Sequence, residues 1–201
     1  MATATEEHVV QEKIKESEHE LHPLQDTWTY YLFIYKGNDK WEESMMKVAT
    51  FGTIEHFWSV MYNTAPPSRT PNGTDIFMFR SDIEPKWEHP RNEHGGRWLI
   101  PLTADSPIDR YWEELLMLVV GCDWETDEEA EQICGVVFQP RARGHKMAIW
   151  LSNADEVETI KQIGKRVKER LNLTEKIFFH TVNDQKELPR GKDITSGRYE
   201  V

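Results

Sequence analysis

Two tryptophan-centred segments carry the side chains best suited to binding a flat ligand. Trp87 stands in the run Ile83-Glu-Pro-Lys-Trp-Glu88, whose polar and turn-forming residues favour an aromatic ring held out on a loop. Trp41 follows a Gly-Asn-Asp turn and is also flanked by charged residues. Two such indoles can face each other across a ring, and stacking contributes roughly 1–3 kcal/mol per base. A cationic ring gains about 0.5–2 kcal/mol more from its attraction to the indole faces.

Charged residues beside these indoles extend the possible chemistry. Glu88 can accept N–H bonds from the edge of a stacked ring, each worth about 1.5–3 kcal/mol because the acceptor is charged. Arg141, Arg143 and Lys146 place three cations within six residues, with no acid between them. A solvated hairpin turn is the simpler interpretation of that cluster taken alone. In a chain of net charge −11, an unopposed cationic loop is also a candidate phosphate site.

The composition excludes several classes of protein. The 201 residues fit one domain, and 35 acidic against 24 basic residues exclude a generic basic nucleic-acid-binding surface. No apolar run approaches the length of a membrane span, and the N-terminus lacks the apolar segment of a signal peptide. Cys122 and Cys134 are too few for a secreted disulfide framework. We therefore expect a reduced cytoplasmic protein, with the nucleus as a second compartment.

The familiar signatures of catalysis and of metal binding are missing from the sequence. It contains no glycine-rich phosphate loop, no nucleophile elbow and no recognised zinc spacing. His89 and His94, with Glu88 and Glu93 beside them, are the best metal candidates, but solvent-exposed loop histidines are the simpler interpretation. We expect no metal, no cofactor and no enzymatic activity.

The elements that must position these residues indicate an α+β fold. Alternating apolar patterns predict strands at 28–35, 41–51, 75–80, 97–102, 133–139, 147–151 and 176–182. Helices are predicted from the Thr53 cap onward, from Ser106-Pro107 to Val120 with Gly121 as its cap, and over 155–171. Adjacent strand pairs between three helices favour a largely antiparallel sheet with one face left open to a ligand. Residues 1–21 are predicted to be a disordered acidic tail, 22–185 the binding domain, and 186–201 a flexible tail.

The arrangement of motifs resembles the eukaryotic translation initiation factor 4E family of messenger-RNA cap-binding proteins. The resemblance spans about residues 22–185 in family order. It rests on His22-Pro-Leu-Gln25, Trp28, Trp41, Glu55-His-Phe-Trp58, Ile83-Glu-Pro-Lys-Trp-Glu88, Gly95-Gly-Arg-Trp98, Ile133-Cys-Gly-Val-Val137, Arg141-Ala-Arg-Gly-His-Lys146 and Ile149-Trp150. Departures from the family pattern, among them Lys86 and His145, mark a divergent isoform.

The resemblance implies a curved, largely antiparallel sheet of about eight strands, backed by three helices on its convex face. A slot on the concave face is expected to bind 7-methylguanosine, with Trp41 and Trp87 on either side of the methylated base. By the same resemblance, Glu88 binds the N1 and N2 edge, Trp150 contacts the N7-methyl group, and the backbone N–H of Trp87 meets O6. The phosphates are assigned to Arg97, Arg141 and Lys146, with Arg143 as a helper.

A second surface implied by the resemblance lies on the convex face, where a helical peptide of the scaffold factor 4G or of a 4E-binding protein docks. The matching positions are His22, Pro23, Ile54, Trp58, Glu113, Glu114, Met117, Val120 and Gly121. The helical pattern agrees, because Tyr111, Leu115 and Leu118 can face inward and leave Met117 and Val120 on a second apolar stripe. Without the resemblance, Trp58 would be assigned to the core.

The function implied is a monomeric module that binds capped mRNA and recruits it to translation initiation. The alternative is a repressor that occupies caps but recruits the scaffold poorly, because Glu113 stands where the family usually has Leu. A third hypothesis, a nucleotide hydrolase with a stacked base, lacks the metal–carboxylate cluster or nucleophile–base pair that it needs.

Overall fold

A computed structural model describes residues 21–35, 41–103, 105–142, 144–187 and 196–201. For residues 41–42 and 185–187 it describes the backbone alone. The predicted N-terminal tail, apart from Leu21, and the predicted phosphate helper Arg143 lie outside these residues. None of the described helices has the length and apolar character required to cross a membrane.

In the described part of the chain, eight strands form one antiparallel sheet, as the resemblance implies. The spatial order is β2-β1-β3-β5-β6-β4-β7-β8, and every neighbouring pair is antiparallel. The strands are β1 (Pro23–Ile34), β2 (Met45–Thr53), β3 (Thr74–Arg80), β4 (Gly96–Pro101), β5 (Ile133–Gln139), β6 (Lys146–Leu151), β7 (Phe178–Thr181) and β8 (Tyr199–Glu200).

Three long helices cover one face of this sheet. They are α2 (Ile54–Asn63), α3 (Ile108–Val120) and α5 (Val157–Leu171), and their apolar residues join those of the sheet in one core cluster. Shorter helical segments are α1 (Trp41–Ser44), α4 (Asp127–Gln132), α6 (Val182–Glu187) and a 3₁₀ turn at Pro67–Arg69. Helix α5 approaches the sheet closely at Gly164, where a Cβ atom would lie 2.5 Å from the Trp98 ring.

The period-2 alternation of the strands divides the core between two faces. In β3, Ile76 and Met78 point into the helix-covered cluster, whereas Phe77 and Phe79 belong to a smaller cluster on the concave face. That second cluster also contains Trp150, and Trp87 packs against it. Because the three long helices are on the other side, this concave cluster is where a ligand slot can form.

The predicted caps of the helices are present. Thr53 accepts a hydrogen bond from the His56 N–H at 3.3 Å, which satisfies one of the first donors of α2. Gly121 caps α3, and the left-handed residue that ends the turn is Cys122, with φ of 51°. The Asp123 N–H then donates to the Leu118 carbonyl at 3.1 Å, as in a Schellman motif.

Two predictions at the ends of elements are wrong. A strand was expected over 41–51, but Trp41–Ser44 form a helical turn and the strand begins at Met45. Part of the tail predicted to be flexible is paired: β8 joins β7, and Tyr199 stacks on Phe179 with ring centroids 5.8 Å apart. The aromatic side chain gives this polar segment a partner at the edge of the sheet.

Candidate functional site

The loop between β3 and β4 presents Trp87 at the concave face. Ile83 and Pro85 are buried and anchor its first half. Asn92, only 1% exposed, donates from Nδ2 to the carbonyls of Glu84 at 2.9 Å and Lys86 at 2.8 Å. These bonds close the loop beneath Trp87, which is half-buried, and leave Glu88 exposed.

Trp87 lies face to face with Trp150 of β6. Their ring centroids are 3.6 Å apart and their planes differ by 14°, while Trp150 also makes an edge contact with Phe79 at 5.3 Å. The structure therefore brings together two of the predicted base-binding rings, but each ring covers a face of the other. The Nε1 atom of Trp150 is buried and has no hydrogen-bond partner among the described residues.

Arg97 adds a positive charge to this aromatic pair. It pairs with Trp150 across the β4–β6 ladder, and its guanidinium carbon lies 5.3 Å from the Trp87 ring centroid. Burial lowers the pKa of Arg97 to about 10, although the negative charge of Asp75 acts in the opposite direction. Arg97 remains a cation at neutral pH and is held against the Trp87 indole.

The cationic loop between β5 and β6 is joined to the sheet by Asp75, an acid that was not among the predicted site residues. Both oxygens of Asp75, which is 5% exposed, accept hydrogen bonds from Arg141: one from Nη1 to Oδ1 and one from Nη2 to Oδ2 at 2.8 Å. Gln139 also donates to Oδ2 at 2.7 Å. The hydrogen bond to Asp75 raises the pKa of Arg141, so the cationic form is favoured. Lys146 begins β6 at the end of the same loop.

Trp41 begins the helical turn α1, and its side chain lies outside the part of the chain that the structure describes. The turn leads directly into Met45, which packs against the concave cluster. Of the predicted concave-face residues, the structure thus groups Trp87, Trp150 and Arg97, while Glu88 has no hydrogen bond or ion pair to any described residue.

Sequence reasoning missed Asp75, Gln139 and Asn92. The available signal for Asp75 was its position, because it continues the concave-face alternation of Phe77 and Phe79 and a buried acid needs a cationic partner. No comparable pattern marked Asn92. The described residues contain no group of histidines, cysteines and acids arranged to hold a metal ion.

On the convex face, the start of β1 is joined to the start of α2. The His22 N–H donates to Glu55 Oε2 at 3.0 Å, and His22 Nδ1 lies 2.6 Å from Oε1. The hydrogen bond from the His22 side chain lowers the pKa of Glu55 to about 2. The Ile54 N–H donates to the His22 carbonyl at 2.9 Å, so His22, Pro23 and Ile54 are held close together.

Helix α2 contributes exposed apolar surface beside this contact. Ile54 is 43% exposed. Trp58 is half-buried between Phe57, at a centroid distance of 5.0 Å, and Tyr62, at 5.8 Å. Tyr62 is 81% exposed and was not among the predicted residues. Its ring extends the apolar surface along the helix.

Helix α3 supplies the remaining predicted residues of the convex face. Glu113 and Gly121 are exposed, Met117 is half-buried, and Glu114 forms an ion pair with Arg170 at 2.9 Å. The prediction that Val120 lies on a second exposed stripe is wrong, because Val120 is only 6% exposed and packs in the core. It follows Leu116 by one turn of the helix, and both side chains therefore face the sheet.

The chain matches known proteins over nearly its whole length. The sequence model of the family described as Eukaryotic initiation factor 4E matches residues 23–196. Eukaryotic translation initiation factor 4E of Xenopus laevis is 31% identical over 203 residues, which cover all of this chain and 94% of the relative. Translation initiation factor 4E-1B of Danio rerio is 36% identical, over 90% of this chain and 85% of the relative.

Solved structures of eIF4E proteins are similar to this chain in fold as well as in sequence. Schistosome eIF4E, crystallised with m7GpppA and 4E-BP, superposes with a TM-score of 0.88 and is 55% identical, over 90% of this chain and 99% of that one. Ascaris suum eIF4E-3, in complex with an m2,2,7G cap, gives a TM-score of 0.81 at 29% identity, over 90% and 99% of the two chains. On the family match and these similarities, the chain belongs to the eukaryotic initiation factor 4E family.

Proposed function

We propose that this protein binds the 7-methylguanosine cap of mRNA in its concave slot and recruits the mRNA to translation initiation through its convex face. The observation that carries the proposal is the grouping of Trp87, Trp150 and Arg97 on the concave face of a chain in this family. The schistosome relative, of 55% identity, was solved with both a cap dinucleotide and 4E-BP. The initiation-factor names of the matched relatives do not favour the repressor alternative.

The base site is assigned to Trp41, Trp87, Glu88 and Trp150. The two indoles of Trp41 and Trp87 stack on the methylated base, whose positive charge gains a cation–π attraction that ordinary guanine lacks. Glu88 accepts the N1 and N2 hydrogens, the Trp87 N–H meets O6, and Trp150 contacts the methyl group. Because Trp87 covers Trp150 in the present structure, binding requires the two rings to separate so that the methyl edge can reach Trp150.

The phosphates are assigned to Arg97, Arg141 and Lys146, with Arg143 as a helper. Arg97 lies against Trp87, so a nucleotide whose base stacks on Trp87 has its phosphates within reach of the Arg97 guanidinium. The cationic loop between β5 and β6 and Arg97 together supply the local positive charge that an acidic chain needs to bind a polyphosphate.

On the convex face, we assign the partner site to His22, Pro23, Ile54, Trp58, Glu113, Glu114, Met117 and Gly121, with Val120 beneath it in the core. Exposed apolar surface at Ile54 and Trp58 suits the apolar side of a helical peptide from 4G or a 4E-binding protein. We propose a monomer without catalytic activity, acting in the cytoplasm and also in the nucleus.

The test is a fluorescence titration of the native tryptophans with 7-methyl-GTP and, in parallel, with GTP. Separation of Trp87 from Trp150 and stacking on a cationic base predict strong quenching by the methylated ligand. GTP shares the phosphates and the base edge but lacks the charge, so we expect much weaker binding. An equal response to both ligands, or no response to either, would contradict the cap-binding proposal.

A further inference from the structure

A buried acid stands beneath the cationic groups assigned to the phosphates. Asp75 is the second residue of β3 and pairs with Phe33 across the β1–β3 ladder, so both side chains face the concave side. Its carboxylate receives Arg141 on both oxygens and Gln139 on one. An acid is unexpected there, because a site for phosphate gains from positive charge alone.

The hydrogen bonds of Arg141 show what this contact does to the guanidinium. A guanidinium has five N–H donors in a fixed plane. Asp75 takes two of them, one on each Nη, and the Pro140 carbonyl takes another on Nη1 at 2.8 Å. The other two donors, one on Nη2 and one on Nε, have no partner among the described residues, and the side chain is still 42% exposed. The guanidinium is therefore fixed in orientation while part of its binding capacity stays available.

We propose that Asp75 is a positioning residue for phosphate recognition, holding the Arg141 guanidinium so that its two remaining donors face the phosphate chain of the cap. This inference rests on the proposed function of the concave slot. An arginine without such a partner must lose rotamer freedom when it binds a phosphate. Here that freedom is lost on folding, because a buried carboxylate and Gln139 already fix the geometry.

If Asp75 instead weakened phosphate binding by neutralising the cations, its removal would have the opposite effect on affinity. In that case, removing its charge would strengthen phosphate binding. Asp75→Asn keeps the shape and one acceptor oxygen, but an amide N–H₂ replaces the other oxygen. The guanidinium therefore loses the negative charge and one of the two hydrogen bonds that hold it. The sign of the change in affinity therefore separates positioning from neutralisation.

The experiment compares the full chain with Asp75→Asn, Arg141→Ala and the double variant by calorimetry, using 7-methyl-GTP and the nucleoside 7-methylguanosine. We expect Asp75→Asn to weaken 7-methyl-GTP binding by about tenfold, the scale of a lost charged hydrogen bond, and to leave nucleoside binding unchanged. In the Arg141→Ala background the same change should have no further effect, because the effect of Asp75 passes through Arg141. Asp26→Asn is the matched control: Asp26 forms an ion pair with Arg80 at 3.1 Å in the same sheet.

Arg141→Lys keeps the proposal testable even if Asp75→Asn does not fold. Lysine keeps the charge but cannot span both carboxylate oxygens, so we expect it to lose most of what Arg141→Ala loses. Binding of 7-methyl-GTP that is unchanged or tighter in Asp75→Asn, or fully retained in Arg141→Lys, would overturn the proposal. Failure of the unsubstituted protein to bind 7-methyl-GTP would instead overturn the proposed function itself.

Discussion

The side chains that we assign to the two binding sites are packed differently on the two faces of the sheet. On the concave face these groups contact one another: Trp87 stacks on Trp150, and Arg141 pairs with Asp75. On the convex face, Ile54 and Tyr62 are substantially exposed. A ligand of the concave face must therefore replace internal contacts, whereas a partner of the convex face covers surface that is already open.

This difference decides how each face responds to substitution. The affinity of the concave slot is a difference between ligand contacts and the internal contacts that they replace, so removing one central ring removes most of it. The affinity of the convex face depends on the few apolar side chains that a partner buries at its centre. We therefore expect the largest losses from removing a central ring on either face, and moderate gains or losses from changes at exposed positions around it.

The largest expected effect is the loss of cap binding in Trp87→Ala. The substitution removes the stacking and cation–π contributions of one indole, together about 1.5–5 kcal/mol. Calorimetry with 7-methyl-GTP should detect no binding, while a 4G-type peptide should still bind with unchanged affinity. The peptide serves as the control for folding, because Trp58 and Ile54 lie on the opposite face.

Trp58→Ala is the reciprocal variant. It should abolish peptide binding and leave 7-methyl-GTP binding within about twofold, since only the convex face is altered. If Trp87→Ala kept its cap affinity, or if either variant lost both ligands while remaining folded, the assignment of one ligand to each face would be wrong.

The sequence predicted the long elements of the fold because their signals are local. The three long helices carry apolar periodicity and caps such as Thr53 and Gly121, and most of the strands alternate clearly. The four-residue turn at Trp41–Ser44 and the pairing of Tyr199 were missed. The pairing of Tyr199 depends on a tertiary neighbour, the Phe179 ring.

The site was predictable only in part, and for a similar reason. The position of Trp87 on a loop and the cluster containing Arg141 are visible in the sequence, but the resemblance supplied the roles of Trp150 and Arg97. The position of Asp75 in the strand alternation was a signal, but its partner could not be identified, because Arg141 is 66 residues away. The stack of Trp87 on Trp150 depends on how a loop lies over a strand, which residue types alone do not specify.

A smaller loss is expected from Glu88→Gln, which tests whether the exposed carboxylate reads the edge of the base. The amide keeps one acceptor and loses the charge, so 7-methyl-GTP binding should weaken by about 1–3 kcal/mol, or roughly 5–150-fold. Glu93→Gln is the matched control, because Glu93 is an exposed acid of the same loop. Titrations that are identical for Glu88→Gln and the unsubstituted protein would remove Glu88 from the site.

The smallest expected effect is a gain on the convex face from Glu113→Leu. Glu113 is exposed on α3 beside half-buried Met117, so a leucine there would add apolar surface for a docking helix to cover. Partial burial of that side chain should tighten 4G-type peptides by about 1 kcal/mol, or roughly fivefold, without changing 7-methyl-GTP binding. Glu169→Leu, at an exposed position of α5, controls for nonspecific adhesion. Calorimetry that shows no gain, or the same gain in both variants, would mean that Glu113 does not limit scaffold binding, and the repressor alternative would then lose its physical basis.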